Sequence, residues 1–258
     1  MIVKKAIRML GIALMLASCN SGDDLQVPND NVKTITFTAS LEENIDSRAD
    51  ANERISRAIV EVYSDAEATQ KEHRVVISKG TDGKFTFTIP NMISGKKYTF
   101  LFWADNVHAQ QFDVSDLKNV KRTHSQILEI AYSLATTLTP EEISQSGVQL
   151  KHPLCKISLQ TTVALTKEDD IRAHLGSYES FNVLTNSATG NTTAVFWRAC
   201  NDFNEGDEIR DIYIFGKDET QTISVEYYGR PTHKEFLNVP TKPNTHITLK
   251  GDFKSIGL

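Results

Sequence analysis

Apolar and polar residues alternate with a period of two along most of this chain. Ile35, Phe37 and Ala39 alternate with three threonines, which is the pattern of a half-buried β-strand. Tyr98–Ala104 is apolar at nearly every residue and is predicted to be a central strand buried on both faces. Further strands are predicted at His73–Ser78, Gly83–Ile89, Cys155–Leu165, Ser180–Leu184, Thr193–Trp197, Asp211–Phe215, Thr222–Tyr228, His233–Val239 and Thr245–Lys250.

Turn and helix signals are fewer. Asp82-Gly83 is the strongest turn signal, and it predicts a hairpin between His73–Ser78 and Gly83–Ile89. Thr139–Ile143 predicts a short helix, because a capping threonine precedes proline and two acids. A second short helix is predicted at Thr166–Leu175, where three acids lie near the start.

The pattern of strands predicts an all-β fold and a domain boundary. Roughly a dozen strands separated by turn residues favour β-sandwiches over an α/β fold. The alternation breaks at Ser144–Gly147, so two tandem β-sandwich domains are expected at residues 33–146 and 147–258. Their interiors should contain four apolar side chains in particular, Phe100, Phe102, Ile157 and Leu159.

The first residues have the order of a secretory signal. Lys4, Lys5 and Arg8 precede the apolar run Leu10–Leu16, which is shorter than the roughly 20 residues that span a bilayer. Leu16-Ala17-Ser18-Cys19 resembles the bacterial lipobox. This resemblance implies a lipoprotein signal peptide at residues 1–18 and lipid on Cys19, which would hold the chain in a membrane. The alternative is a plain secretory signal with an incidental cysteine.

Residues 19–32 are polar, acidic and rich in turn formers, and they are predicted to form a flexible tether. Ser21, Asp23 and Asp24 resemble the export tag of Bacteroidetes lipoproteins that reach the outer face of the outer membrane. A surface-exposed protein, lipid-anchored in the outer membrane, is therefore expected. The alternative is an acidic linker that is not an export signal.

Charge and residue spacing exclude several functions. The net charge is −5, and it becomes −8 without residues 1–18, so nucleic acid is not an expected partner. Neither the spacing of zinc ligands nor a catalytic motif occurs, so we expect no metal, no cofactor, no catalytic residue and no enzyme.

Acidic residues are clustered in Asn204–Glu208, and a solvated turn is favoured there over a Ca²⁺ site. Cys155 and Cys200 are interpreted as buried thiols, although export permits a disulfide between them.

Aromatic residues provide an alternative function. Trp103, Trp197, Tyr227 and Tyr228 could together form a platform for stacking sugars. Trp103 lies in the most apolar strand, so it is expected in the core. Tyr227 and Tyr228 precede the Gly229-Arg230-Pro231 turn, so one of these two rings should be exposed.

Several segments, taken in order, resemble a Bacteroidales fimbrillin-like lipoprotein family. The matching segments are Phe37–Leu41, Ser47–Ala49, Phe100–Asp105, Asp113–Val120, Val148–Ile157 and Asn244–Asp252. They span roughly residues 33–252, and their order is more specific than any one of them. The resemblance implies two tandem transthyretin-like β-sandwiches and a place among the type V pilins or their relatives.

In such pilins a protease cuts after a basic residue that follows the first strand, and a strand from the next subunit fills the vacated groove. By resemblance, Arg48 is the possible cleavage site, with Arg54 and Arg57 as competing positions. Many relatives continue well beyond the position of Gly251, whereas this chain stops seven residues later. This difference favours an anchoring or capping subunit, or a surface protein that does not polymerise.

Two functions from different classes remain. The first is a structural, anchoring or minor subunit of a type V pilus or a fimbrillin-like adhesion protein, whose partners would be other fimbrial subunits joined by strand addition. The alternative is a surface glycan-binding lipoprotein of a polysaccharide-uptake system. Cleavage after Arg48 would separate the sandwiches from Cys19, so an anchoring subunit is expected to remain uncut.

Overall fold

The computed structural model describes residues 31–42, 51–197, 201–231 and 233–255; for residues 51 and 193–197 it describes the backbone alone. Nearly all regular structure in these ranges is β-strand, which confirms the all-β fold class. The same ranges contain two short helices, α1 (Ala51–Arg54) and α2 (Pro140–Ser146), together with a 3-10 turn at Val107–Ala109. Within the described ranges no helix has the length and apolarity needed to cross a membrane.

The strands of the first half are β1 (Val32–Leu41), β2 (Arg57–Tyr63), β3 (Lys71–Ser78), β4 (Phe85–Ile93), β5 (Tyr98–Asp105), β6 (Phe112–Asp113), β7 (Val120–Arg122) and β8 (Tyr132–Leu138). Those of the second half are β9 (Val148–Leu150), β10 (Leu154–Thr161), β11 (Ile171–Asn182), β12 (Ser187–Trp197), β13 (Glu208–Phe215), β14 (Thr220–Tyr227), β15 (His233–Pro240) and β16 (Thr245–Gly251).

These strands form four sheets. Sheet A has the order β4-β1-β9, and sheet B has the order β3-β2-β5-β8. Sheet C has the order β15-β14-β11-β7-β6, in which β14 pairs with the start of β11 and β7 pairs near its end. The strand β12 pairs with β11 along nearly its whole length. Sheet D has the order β13-β10-β16, in which β10 and β16 run parallel.

Sheets A and B pack face to face around an aromatic core. Phe37 of β1 lies edge-on to Phe102 of β5, with ring centroids 6.0 Å apart, and Phe87 of β4 lies 5.8 Å from the same ring. Phe100 and Phe102 are both fully buried, as the apolar run of β5 predicts. Such contacts between rings stabilise the core beyond the burial of their area.

Sheets C and D enclose a second, aliphatic core. Ile157 and Leu159 of β10 point into it, which confirms their predicted burial. They are accompanied by residues of β11, β13, β14 and β16, namely Ala173, Leu175, Ile212, Ile214, Ile223, Val225 and Leu249. Within each of β11, β13 and β14 the two residues named are two positions apart, as period-two alternation requires.

Residues 106–131, which we call the crossing segment, link the two pairs of sheets. They connect β5 to β8 and supply β6 and β7 to sheet C, where β7 pairs with β11. Phe112 of this segment lies 5.2 Å from Trp103 in sheet B and 5.8 Å from Phe215 in sheet D. A buried carboxylate on β2, that of Glu61, also accepts a hydrogen bond from the backbone of this segment at Leu117 (3.4 Å).

The expected division into residues 33–146 and 147–258 stays a prediction. Two strand pairings cross that boundary, those of β9 with β1 and of β7 with β11. The first core likewise includes Phe181, Tyr213 and Phe215 from the second half. The described residues from Asn31 onward therefore pack together as one compact unit.

Two local predictions were wrong. The turn at Asp82-Gly83 forms, but it is not a hairpin: β3 pairs with β2 in sheet B, whereas β4 pairs with β1 in sheet A. The predicted helix at Thr166–Leu175 is a turn followed by the start of β11. The Asp169 carboxylate accepts hydrogen bonds from Thr166 within that turn, and the residues from Ile171 onward alternate between the core and the surface, so the period is that of a strand.

Candidate functional site

The strand β1 has one face in the first core and one face in solvent. The side chains of Ile35, Phe37 and Ala39 are at most 3% exposed, and the threonines between them point outward. This is the alternation that the sequence predicts. Since these three side chains fill a groove between sheets A and B, removal of β1 would leave an open apolar surface there.

The two edges of β1 are bound very differently. On one edge β1 pairs with β4 along nearly its full length, from Val32↔Ile93 to Ala39↔Phe85. On the other edge β9 pairs with the last three residues of β1 only. In the described part of the chain, no strand pairs with that edge at residues 32–38. The helix α2, which lies between β8 and β9, contacts β1 there instead.

At the start of β1 one carboxylate joins three segments. Oε1 of Glu141 on α2 accepts hydrogen bonds from Lys33 Nζ of β1 and from Ser94 Oγ (2.5 Å). Its Oε2 accepts from the backbone N–H of Gly95 (3.2 Å), in the turn between β4 and β5. These donors, Lys33 first among them, hold the pKa of the Glu141 carboxyl well below its usual range.

Close to the start of β9, α2 ends against the backbone of β1. Gly147, the residue after the helix, has φ +61°, and a Cβ on it would lie 2.7 Å from the carbonyl oxygen of Thr38. Only glycine fits this approach, since real Cβ atoms do not come so near to a backbone oxygen. This glycine therefore allows α2 and β9 to follow β1 closely.

The end of β1 is fixed through the second half of the chain. The N–H of Glu42 donates to the carbonyl of Leu150 at the end of β9 (2.9 Å). Asn244 Nδ2, which precedes β16, donates to the Glu42 carboxylate (2.9 Å). Both ends of β1 are thus held by side-chain contacts in addition to the sheet.

The two site residues predicted from the sequence, Cys19 and Arg48, lie outside the described residues. The competing basic residues are described. Arg54 lies in α1 and donates to Glu129 (2.8 Å), and Arg57 begins β2 and makes a two-bond contact with Asp105 (2.6 and 2.8 Å). Since β2 lies between β3 and β5, cleavage after Arg57 would require a sheet strand to open.

The aromatic residues considered for sugar stacking include a buried ring and an exposed ring, as the sequence predicts. Trp103 is fully buried, and the side chain of Trp197 is outside the described part. Tyr227 is half-buried, and its hydroxyl donates to Asp169 (2.9 Å). Tyr228 is 55% exposed, and the Arg172 guanidinium carbon lies 3.2 Å from the centroid of its ring. The expectation that one of these two rings is exposed is therefore confirmed.

Two sets of polar side chains that are candidates for catalysis or metal binding are hydrogen-bonded within the protein. Ser158 Oγ lies 2.8 Å from His246 Nε2, but it is buried and donates its proton to Asp211 (2.7 Å), so it is not placed as a nucleophile activated by that histidine. In the predicted turn Asn204–Glu208, the Asp207 carboxylate accepts from the N–H of Asn204 (2.7 Å). Among the described residues no group of three His, Cys, Asp or Glu side chains is arranged to hold a metal ion.

Cys155 is a free thiol in the core between sheets C and D, and burial raises its pKa to about 11. Cys200 lies outside the described residues.

Comparison with known proteins assigns the family. The sequence profile described as "Family of unknown function (DUF6562)" matches residues 27–254. The chain belongs to this family. The match covers β1, α2 and both cores, so the features described above lie within the family's shared region. A comparison with curated proteins finds no match to the sequence.

Solved structures share the fold at low sequence identity. A candidate adhesin from Bacteroides thetaiotaomicron has a TM-score of 0.53 and 11% identity, over 86% of this chain and 93% of that one. A candidate adhesin from Bacteroides ovatus has a TM-score of 0.52 and 8% identity, over 85% and 89%. Candidate polysaccharide-binding proteins from B. thetaiotaomicron have a TM-score of 0.53 and 11% identity, over 79% and 80%.

Proposed function

We propose that this chain is a fimbrillin-like adhesion protein of the cell surface, which acts as an anchoring or minor subunit and keeps its own first strand. The observation that carries the proposal is the position of β1: it is the central strand of sheet A, with its apolar face in the core. The fold that this chain shares with candidate adhesins supports a role in adhesion.

The groove under β1 explains why retention of the strand matters. Burying a side chain such as Ile35 or Phe37 stabilises a protein by about 1.5–3 kcal/mol, so an empty groove would not persist in water. If β1 were lost, a strand from another chain would have to replace it by β-augmentation. A subunit that keeps β1 has a filled groove and does not need a donor at this position.

The lipid and the strand are linked through the order of the chain. Cys19 precedes β1, and Arg48 follows it, so cleavage after Arg48 would separate both cores from a lipid on Cys19. A subunit that anchors a fibre in the outer membrane must therefore remain uncut at this point. Its partners would be the membrane, through lipid on Cys19, and other fimbrial subunits that dock on the remaining sheet edges.

The N-terminus of the mature protein on intact cells tests the proposal. We expect lipid-modified Cys19, found by mass spectrometry of the N-terminal peptide. A mature chain that begins at Ala49 would show a processed pilin and would contradict the proposal. As a control, Cys19→Ala should abolish palmitate labelling and leave the protein soluble in the periplasm or block its maturation.

Gel mobility separates retention of β1 from polymerisation. Fibres joined by exchanged strands persist as ladders in unheated detergent, because every joint is a complete set of ladder hydrogen bonds with buried side chains. We expect the purified protein to run as one band with or without heating. A ladder that collapses to one band on heating would mean that the protein polymerises.

A second candidate function, glycan binding, is favoured by one observation. The ring of Tyr228 is exposed and is backed by Arg172, which is itself bonded to Asp170. Such a ring offers a rigid stacking surface for a sugar. If glycan binding is the function, Tyr228→Ala should weaken binding to a polysaccharide array at least about tenfold, an effect typical of the loss of one aromatic anchor. An unchanged array signal would remove this candidate.

A further inference from the structure

We propose that Glu141 of α2 is the positioning residue that retains β1 in its groove and sets how fast β1 leaves when the chain is cut behind it. The inference rests on the proposed function, since it concerns the same strand. It assigns retention of the strand to a side chain 108 residues away from its partner on β1, rather than to the segment in which cleavage would occur.

The free edge of β1 makes such a contact necessary. From residue 32 to residue 38, β4 is the one strand that pairs with β1 within the described ranges, so this part of β1 is held by one ladder of hydrogen bonds. This ladder is also irregular at its start, where the register shifts between Lys33 and Ile35. A strand segment that is paired on one side only loses its pairing from its end, and in β1 that segment is the start of the strand.

The Glu141 carboxylate binds this weakly paired start of β1. Lys33 is the single charged residue in the sequence of β1, and among the described residues it forms an ion pair with Glu141. Through Ser94 and Gly95 the same carboxylate also binds the turn that follows β4. It therefore ties the start of β1 to the neighbouring strand in the sheet as well as to α2.

The helix is a rigid support for this carboxylate. Thr139 and Glu142 form a reciprocal capping box at its first turn, with Thr139 N–H donating to Glu142 Oε2 (2.7 Å) and Glu142 N–H donating to Thr139 Oγ1 (3.3 Å). Pro140 and Ile143 are buried beneath the helix. Glu141 thus projects from a helix that is fixed at its start and on its inner face.

The rate at which β1 is released from a cut chain tests this assignment. Residues 45–50 of the full chain are replaced by a site-specific protease sequence, and the purified protein is cut. Excess synthetic peptide of residues 31–42 is then added, and native mass spectrometry follows the loss of the chain's own N-terminal fragment. We expect Glu141→Ala to accelerate release about fivefold, as for the loss of a partly exposed charged hydrogen-bond network.

Two further variants make the result specific. Lys33→Met removes the partner without changing α2, and it should accelerate release to a similar degree. Glu235→Ala changes an exposed glutamate on β15 that pairs with His233, far from β1 in the sheet order, and it should leave the rate unchanged. If Glu141→Ala fails to fold before cutting, as judged by circular dichroism, Lys33→Met decides the question alone.

A release rate for Glu141→Ala that matches Glu235→Ala overturns the proposal. So does acceleration by Glu141→Ala without acceleration by Lys33→Met, because the effect would then come from damage to α2. Failure of the proposed function is separate and visible elsewhere: cells whose mature protein starts at Ala49 would refute retention in vivo, while the release rates would still report on Glu141.

Discussion

At the residue scale, stability in the first half depends on rings that touch across two sheets. Phe102 contacts Phe37, Phe87 and Phe100, with ring centroids 5.8 to 6.2 Å apart. Truncation of this side chain would remove one partner from each of these contacts and leave a cavity in the core. We therefore treat Phe102 as the side chain whose truncation best reports on this core.

Phe102→Ala should lower the free energy of unfolding by about 3–5 kcal/mol, measured by urea denaturation. Val76→Ala is a matched control, since Val76 on β3 is 54% exposed, and its cost should be within about 0.5 kcal/mol. A loss below about 1 kcal/mol for Phe102→Ala would mean that the ring faces solvent.

A second prediction at this scale concerns Cys155. Burial raises the pKa of its thiol to about 11, so the reactive thiolate forms only at strongly alkaline pH. In a Cys19→Ala, Cys200→Ser background, the folded protein should not react with a thiol reagent at pH 8. One equivalent should react after unfolding in urea. Rapid reaction of the folded chain would contradict the buried position.

At the scale of elements, the tight approach of α2 to β1 depends on Gly147. Gly147→Ala should destabilise the protein by about 3 kcal/mol or more, because backbone strain at this φ and ψ adds to a clash with Thr38. Gly83→Ala is the matched control, since φ is +78° there but a Cβ would meet no atom within 4 Å. Its cost should be about 1 kcal/mol.

Both variants are compared by urea denaturation. Equal costs would mean that only the backbone angle matters and that α2 has room to move away from β1.

The sequence predicts those elements whose burial pattern is local. β1, β4 and β5 follow directly from alternation or from a continuous apolar run. β2 was not predicted, because Glu61 interrupts its apolar residues; that carboxylate is buried and is neutralised by Lys71 and Arg74 on β3. A charge that is compensated only across a sheet cannot be recognised from its neighbours in sequence.

The candidate site is predicted in part for the same reason. The sequence indicates the apolar face of β1 and the capped start of α2, and the structure confirms both. The contact between Glu141 and Lys33 was not predicted, because it depends on how the chain returns to β1 after 108 residues. The prediction of a hairpin at Asp82-Gly83 was wrong for a related reason. A local turn signal does not specify whether the next strand joins the same sheet.

At the scale of the whole molecule, the crossing segment joins both pairs of sheets through β6, β7 and Phe112. The chain should therefore unfold in one transition. Trp103 and Trp197, one tryptophan in each half, allow a direct test. In Trp197→Phe and in Trp103→Phe, fluorescence of the remaining tryptophan and far-UV circular dichroism should give the same urea midpoint. Separate midpoints would indicate two independent domains.

The way in which β1 is held also determines how it would carry a mechanical load. The hydrogen bonds between β1 and β4 are perpendicular to the strands. A pull along the strand axis therefore shears the whole ladder at once, whereas a pull across the sheet would open it bond by bond. The chain enters β1 next to Lys33, where Glu141 resists the first step of peeling. Tension applied along the strand axis at Val32 would thus be borne by the ladder as a unit, and β1 would then act as a shear joint.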